Sequence, residues 1–272
     1  MPTYDIDLVA LDLDGTLLNN DDSISPANRH AIRAALEAGV RVALVTGRGV
    51  DVPARIALDL GLNVPVICAH GALTKDFVAH RTLGHLPVPL VHAKPLVEHA
   101  ERHDLDLAIY TSERFYRLHG KRVYMADMTG PGWHAVGSFA PLLEEAPTFL
   151  RFLGRDSVQA VRERFAHLPL HFKHETWGAF EECAVTSLEA TKENALRHLC
   201  DHLRIPASRV LALGDSRNDV PMLRWAGVGV AMENALPEVK AAVTHVTARH
   251  DADGVALAIE RFVLAPRRER SA

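Results

Sequence analysis

Leu8-Val9-Ala10-Leu11-Asp12-Leu13-Asp14-Gly15-Thr16 is the stretch from which the fold is read. The apolar run Leu8–Leu13 is short and unalternating, the pattern of a strand buried on both faces of a parallel sheet. Asp12 and Asp14 then interrupt it at its carboxyl end, where open α/β sheets bind their ligands. A strand of this kind needs helical crossovers to reach its parallel neighbours.

Working outward, the chain supplies them. Ser25-Pro26 opens a helix, with Ser as the cap and Pro in the first position, and Gly39 ends it. Val40–Val45 reads as a second buried strand, Val52–Leu60 as a helix stopped by Gly61, and Val64–Ala69 as a third strand. The alternation returns late. Lys192–Leu203 is helical, Val210–Leu213 a strand, Val220–Ala226 a helix stopped by Gly227, Val228–Ala231 a strand and Gly254–Val263 a last helix. This order predicts an α/β fold with a Rossmann-like parallel sheet and helices on both faces.

The middle differs. It is richer in aromatics, histidine and proline, and its strands read as amphipathic. Arg114–Met125 suggests a hairpin, Leu142–Leu153 a strand and Asp156–His167 a helix. We read residues 83–185 as an inserted α+β domain, with residues 1–82 and 186–272 forming one core.

Bulk properties narrow the function. Across 272 residues, 48% hydrophobic and 24% charged content implies a packed protein rather than a disordered one. A net charge of -4 gives no broad attraction to nucleic acid. Cys68, Cys183 and Cys200 are too few and scattered for a disulfide framework or a zinc site. Together with the lack of a basic, apolar leader or a long apolar span, this predicts a cytoplasmic protein with no membrane partner. Arg267-Arg268 reads as a solvated tail. His167, His171 and His174 do not suit one rigid helix, because Pro169 interrupts it. Trp133 and Trp177 read as packed side chains.

Four polar groups fall at strand ends or helix starts: Asp12 with Asp14, Thr46-Gly47-Arg48, Lys192, and Gly214-Asp215 through Asn218-Asp219. Two carboxylates two residues apart on an extended chain point to one side. Held close in a buried place they repel, and a divalent cation offsets that cost. Mg²⁺ prefers carboxylate oxygens and bridges to phosphate, and Asp215 supplies a further carboxylate. The Thr46 hydroxyl can donate to a phosphoryl oxygen, and Lys192 offers a fixed positive charge. Gly15 lets the backbone approach an anion. Each residue alone has an ordinary structural explanation: Thr46 and Asp219 as helix caps, Lys192 as a surface cation, Arg48 as a structural rather than a catalytic residue. Their joint order favours a site.

Asp12-Leu13-Asp14-Gly15-Thr16-Leu17-Leu18, Val45-Thr46-Gly47-Arg48, Lys192, and Gly214-Asp215 with Asn218-Asp219 together resemble the four motifs of the haloacid dehalogenase (HAD) superfamily, specifically the Cof-type phosphatases with a type IIB cap. Gly229-Val230-Ala231-Met232, Asn234-Ala235 and Asp253-Gly254-Val255-Ala256 resemble its later segments. The resemblance implies a HAD-like core with a cap and a phosphatase that hydrolyses small phosphorylated metabolites through an aspartyl-phosphate. Asp12 would be the nucleophile and a metal ligand. Asp14 would be the acid and base, its carbonyl on Mg²⁺, and Asp215 the third ligand. Thr46, Gly47, Lys192 and Asn218 would hold the phosphoryl group, and Asp219 would orient Lys192 or a water. The sequence departs from the family at His70, Glu189 and Glu233; none of these departures removes a catalytic group, they bear on local turn geometry and substrate contacts, and the role of His70 stays open. A sugar phosphomutase or phosphotransferase, and a non-catalytic phospholigand-binding module, remain open on the same residues, as do the substrate and the oligomeric state.

Overall fold

The computed structural model describes residues 4–121, 132–177 and 180–271, and the Trp177 side chain lies outside this description. The chain divides into two compact units. One comprises residues 1–48, 52–84 and 191–272, the other residues 49–51 and 85–190.

In the first unit the order is β1 (Leu8–Leu11), α1 (Pro26–Glu37), β2 (Arg41–Leu44), α2 (Asp51–Asp59), β3 (Val66–Cys68), β4 (Leu73–Asp76) and β5 (Arg81–His85). After the insertion come α5 (Lys192–Leu203), β12 (Val210–Gly214), α6 (Val220–Trp225), β13 (Val228–Ala231), α7 (Pro237–Lys240), β14 (His245–Val246), α8 (Gly254–Ile259) and α9 (Ala265–Ser271). β14-β13-β12-β1-β2 form one parallel sheet. β3 joins its line through a parallel bridge from Val45 to Ile67 and pairs antiparallel with β4. From β1 the chain moves one way to β2 and the other way, much later, to β12 and β13. That reversal is a topological switch point, and it sets the carboxyl ends of β1 and β12 side by side, Leu11 facing Leu213.

Why these segments adopt these forms is largely local. The Ser25 hydroxyl accepts from the Asn28 amide, capping α1 ahead of Pro26. Gly39 follows with φ 79°, the left-handed stop expected of a glycine there. β1, β12 and most of β2 are fully buried, which explains their unalternating Val/Leu/Ala composition. Cys68, Cys183 and Cys200 are free, buried thiols, and burial pushes that of Cys68 up to about 12.

Two sequence expectations are corrected here. The first strand ends at Leu11, not Leu13: at Asp12 the chain leaves the sheet and turns, with the Thr16, Leu17 and Leu18 amides all donating to the Leu13 carbonyl. The last helix does not end at Val263. It continues through a π turn (Glu260–Leu264) into α9, and Arg267 is no solvated tail, since its guanidinium donates to the Ile6 carbonyl at 2.7 Å.

The second unit holds α3 (Leu90–Arg102), β6 (Leu107–Tyr110), β7 (Phe115–Leu118), β8 (Trp133–Val136), β9 (Phe149–Leu153), α4 (Arg155–Phe165), β10 (Leu170–Trp177) and β11 (Phe180–Ser187). Its sheet has the order β10-β11-β9-β6-β7-β8. Alternate residues, Leu107 and Ile109 of β6 with Leu150 and Phe152 of β9, pack with the apolar side chains of α3 and α4. β6 and β9 are not the amphipathic strands expected, whereas β7, β8 and β10 are partly exposed. β6 is buried throughout, because the residues between carry aromatics and a neutralised charge. Tyr110 stacks on Phe149 at 4.1 Å between centroids and meets Trp133 edge-on at 5.4 Å, while Arg151 pairs with Glu182. The expected strand over Leu142–Leu153 is a 3-10 turn (Ala140–Glu144) followed by β9, since Pro141 and Pro147 interrupt any longer strand. The hairpin read over Arg114–Met125 runs into residues 122–131, outside the described residues. His171 and His174 are engaged by the Leu188 carbonyl and by Arg162 with Glu181.

Candidate active site

The switch point collects the polar residues. Asp12 follows β1 directly, and its amide donates to Leu213 of β12 at 3.1 Å. Asp215 follows β12. Lys192 is the first residue of α5, whose N-cap Thr191 accepts from the Asn194 amide. The Lys192 ammonium is buried and donates to Asp12 Oδ1 and to Asp219 Oδ1, both at 2.6 Å. Asp219 uses its other oxygen to accept from the amides of Asp215 at 3.1 Å and Ser216 at 2.9 Å. It therefore shapes the Asp215 loop and aims Lys192. Asp219 also has the capping role read from the sequence, one turn earlier than expected: its carboxylate closes a capping box with Ser216 at the 3-10 turn Arg217–Asp219 that runs into α6, while it makes no side-chain cap at the first residue of α6 itself.

The charges of this group do not close. Three carboxylates, Asp12, Asp215 and Asp219, have ligand oxygens within 4.8 Å of one another, with one ammonium among them. Burial pushes Asp12 well above the usual carboxylate range; Lys192 opposes that, and Asp219, Asp215 and Asp14 add to it. Burial, then Asp219, push Asp215 up to about 7. Burial alone would lower the Lys192 ammonium, but Asp12 and Asp219 reverse this and hold it above its ordinary range. Asp215 Oδ1 is buried with no hydrogen-bond partner among the described residues, an orphaned acceptor whose desolvation costs roughly 1–3 kcal/mol or more. A divalent cation would supply the missing charge and partner. The donor set is all oxygen, which suits Mg²⁺ rather than a softer metal. Asp12 and Asp215 are the carboxylates best able to hold it, because Asp219 already spends both oxygens on the lysine and the amides.

Asp14 is placed differently from the reading that put both carboxylates on one side of an extended chain. The turn after Asp12 buries Leu13 and leaves the Asp14 side chain 52% exposed. Arg48 grips it through both Nε and Nη2, at 2.5 to 3.0 Å, and also reaches Asp22. Burial would lower the Arg48 guanidinium, but Asp14 and Asp22 together raise it. A pair this exposed adds about 0–1 kcal/mol, so its consequence is orientation rather than stability. Asp14 is absent from the carboxylate group above.

Thr46 is fully buried, and its hydroxyl oxygen accepts from the Arg48 amide at 3.1 Å. It braces the Thr46-Gly47-Arg48 turn and does not cap α2, which begins only at Asp51. Ala69, His70 and Gly71 follow β3 with three consecutive positive φ angles. The amides of Ala69 and His70 donate to the carbonyls of Arg48 and Thr46 at 2.8 and 3.0 Å. The His70 ring lies over Gly47, where any Cβ would strike it, so His70 backs this loop. Asn218 accepts from the Ser216 hydroxyl at 2.7 Å, which leaves its NH2 as the end that could meet a phosphate.

Gly15 has φ 71°, and a Cβ there would run into the Asp215 carboxylate. Its bareness makes room for the Asp215 carboxylate. The sequence reading gave no role to Asn234, which donates to the Gly15 carbonyl at 2.8 Å. Its signals in the sequence were its place three residues beyond the buried strand β13 and the resemblance of Asn234-Ala235 to a later family segment.

Comparison with known proteins places the chain in a family. Residues 9–259 match the family model of haloacid dehalogenase-like hydrolases. The chain is 29% identical to the 5-amino-6-(5-phospho-D-ribitylamino)uracil phosphatase YitU of Bacillus subtilis, covering 94% of this chain and 97% of that protein. It is 28% identical to the pyridoxal phosphate phosphatase YbhA of Escherichia coli, over 92% and 96%. A haloacid dehalogenase-like hydrolase from Bacteroides thetaiotaomicron has the same fold, with a TM-score of 0.83 at 25% identity over 94% and 99% of the chains. No helix among the described residues is long and apolar enough to cross a membrane.

Proposed function

The chain belongs to the haloacid dehalogenase-like hydrolases, and from that premise we propose that it is a Mg²⁺-dependent phosphatase of small phosphorylated metabolites, working through an aspartyl-phosphate on Asp12. The observation that carries this reading is the buried Asp12–Lys192–Asp219 chain beside the orphaned Asp215 oxygen. A lysine held between two carboxylates, next to an unsatisfied third, has no economical structural purpose. The arrangement suits a dianionic ester that must be bound and attacked at once.

Asp12 attacks phosphorus with a carboxylate oxygen, forming an acyl phosphate as the bond to the ester oxygen breaks. This splits one hard displacement into two easier ones. Asp14 gives its proton to the departing oxygen, then takes one from the water that attacks the acyl phosphate. Inorganic phosphate leaves and the Asp12 carboxylate is restored. Thr46, Gly47, Lys192 and the Asn218 NH2 hold the phosphoryl oxygens. Mg²⁺, held by Asp12, Asp215 and the Asp14 carbonyl, would neutralise charge on the phosphoryl group. We assign residues 83–185 to an inserted cap domain that selects the leaving group. The compactness of residues 85–190 as a unit of their own supports that boundary. The relatives named for a phosphoribityl and a pyridoxal ester support small phosphomonoesters as the substrate class.

The test is release of inorganic phosphate from p-nitrophenyl phosphate and a metabolite panel, with Mg²⁺ and with EDTA, for wild type and Asp12→Asn. Turnover is expected only for wild type with metal. An isomeric phosphate ester in place of inorganic phosphate would instead assign a mutase, and full activity of Asp12→Asn would rule out the nucleophile.

A further inference from the structure

Asn234 sits where three segments meet. Its NH2 donates to the Gly15 carbonyl at 2.8 Å and approaches Asp215 Oδ2 at 3.5 Å. Its amide oxygen accepts from the His250 backbone at 2.9 Å, and the Leu236 amide just beyond it reaches the Asp215 carbonyl at 3.4 Å. His250 in turn sets its ring nitrogen against the Leu18 carbonyl at 2.9 Å. The residue therefore ties the turn after Asp12 to the loop that carries Asp215, with the segment before α8 as its anchor.

The two oxygens of Asp215 have opposite surroundings. Oδ2 lies beside Asn234 and over the bare α-carbon of Gly15. Oδ1 is buried with no partner among the described residues. A carboxylate free to rotate would exchange them and would swing its charge toward any available donor. The contact at Oδ2 and the close packing over Gly15 restrain that rotation and leave Oδ1 as the oxygen open to a further partner. The amide orientation of Asn234 is settled by the same network, since only an oxygen can accept from the His250 amide.

We propose that Asn234 is a positioning residue for the metal-binding carboxylate: it fixes the rotamer of Asp215 and the height of the Gly15 turn so that Asp215 Oδ1 is presented to a divalent cation. This rests on the metal-dependent reading above and adds to it a residue that touches neither the substrate nor the cation. Supporting groups of this kind alter metal affinity by roughly 10- to 100-fold, while substrate binding at saturating metal depends on other side chains.

The experiment is direct titration of metal-free protein with Mn²⁺ followed by electron paramagnetic resonance, on wild type, Asn234→Ala and His250→Ala. The expected result is an Mn²⁺ dissociation constant raised at least about 10-fold in Asn234→Ala, with kcat recovered toward wild type as Mg²⁺ is raised. His250→Ala loosens the same anchor by losing the Leu18 bond but keeps the backbone donor to Asn234. Its Mn²⁺ affinity is expected to stay within about twofold of wild type. An unchanged affinity in Asn234→Ala, or an equal loss in both variants, would overturn the proposal and leave the phosphatase reading standing. A wild type that binds no Mn²⁺ would remove the metal-dependent reading and this inference with it.

Discussion

Lys192 Nζ lies 2.6 Å from Asp12 Oδ1 across 180 residues of sequence, and both side chains are buried. Neither group is tolerable there alone. A buried ion left without its partner costs about 3–5 kcal/mol. The pair is thus both a part of the proposed chemistry and a tie between the first and the late halves of the core.

Removing that ammonium should therefore cost stability as well as activity. Lys192→Met leaves Asp12 and Asp219 facing each other without a cation. We expect loss of measurable turnover and a loss of about 3 kcal/mol in urea unfolding. Stability equal to wild type would mean that the carboxylates take up protons without penalty.

Asp14 and its partner Arg48 should show themselves through the leaving group. A general acid matters little for a good leaving group such as p-nitrophenolate and much for an alkoxide. Asp14→Asn is expected to lower kcat by roughly 10²-fold or more on alkyl phosphates, and by clearly less on p-nitrophenyl phosphate. Arg48→Lys keeps the charge but loses the two-point grip on Asp14, so it should show the same leaving-group pattern in weaker form. Equal losses on both ester types would remove Asp14 from the proton transfer.

Gly71 carries a backbone constraint that reaches the active lysine. Its φ is 99°, and a Cβ there would overlap the Thr191 carbonyl, immediately before Lys192. Gly71→Ala combines a strained dihedral with a displaced start of α5. A destabilisation of about 2 kcal/mol is expected from the dihedral alone, together with a fall in kcat greater than any rise in KM. A variant with wild-type thermal stability and kcat would show that α5 can retreat without moving Lys192.

Metal binding should depend on pH through Asp215. Burial and the neighbouring Asp219 raise this carboxyl from 3.8 to about 7. Its folded-state value lies above its unfolded one, so its contribution to stability is present at low pH and is lost as pH rises from about 4 to about 7 in metal-free protein. A cation needs the ionised form, so affinity rises over the same window and binding releases protons. Calorimetry of Mn²⁺ binding in buffers of different ionisation enthalpy should show proton release that declines from roughly pH 6 to pH 8. Heats independent of buffer at pH 6 would contradict the raised carboxyl.

The sequence by itself determined the parallel core, because strands buried on both faces and capped helices are written in local residue patterns. The run before Asp12, the Ser25 cap and the glycine stops place β1, α1, α2 and α6 within a residue or two. It also named Asp12, Thr46, Lys192, Asp215 and Asp219, since each follows a strand or opens a helix. Only the tertiary structure decided how those groups are used. Asp14 turns away to Arg48 because the chain leaves the sheet at Asp12, and backbone direction at a turn is not carried by the spacing of two residues. Gly15 makes room for Asp215, and Asn234 bridges to it, because β1 and β12 lie side by side although about two hundred positions separate them. Side-chain direction and long-range adjacency arise when the sheet assembles, and no short stretch of sequence encodes them.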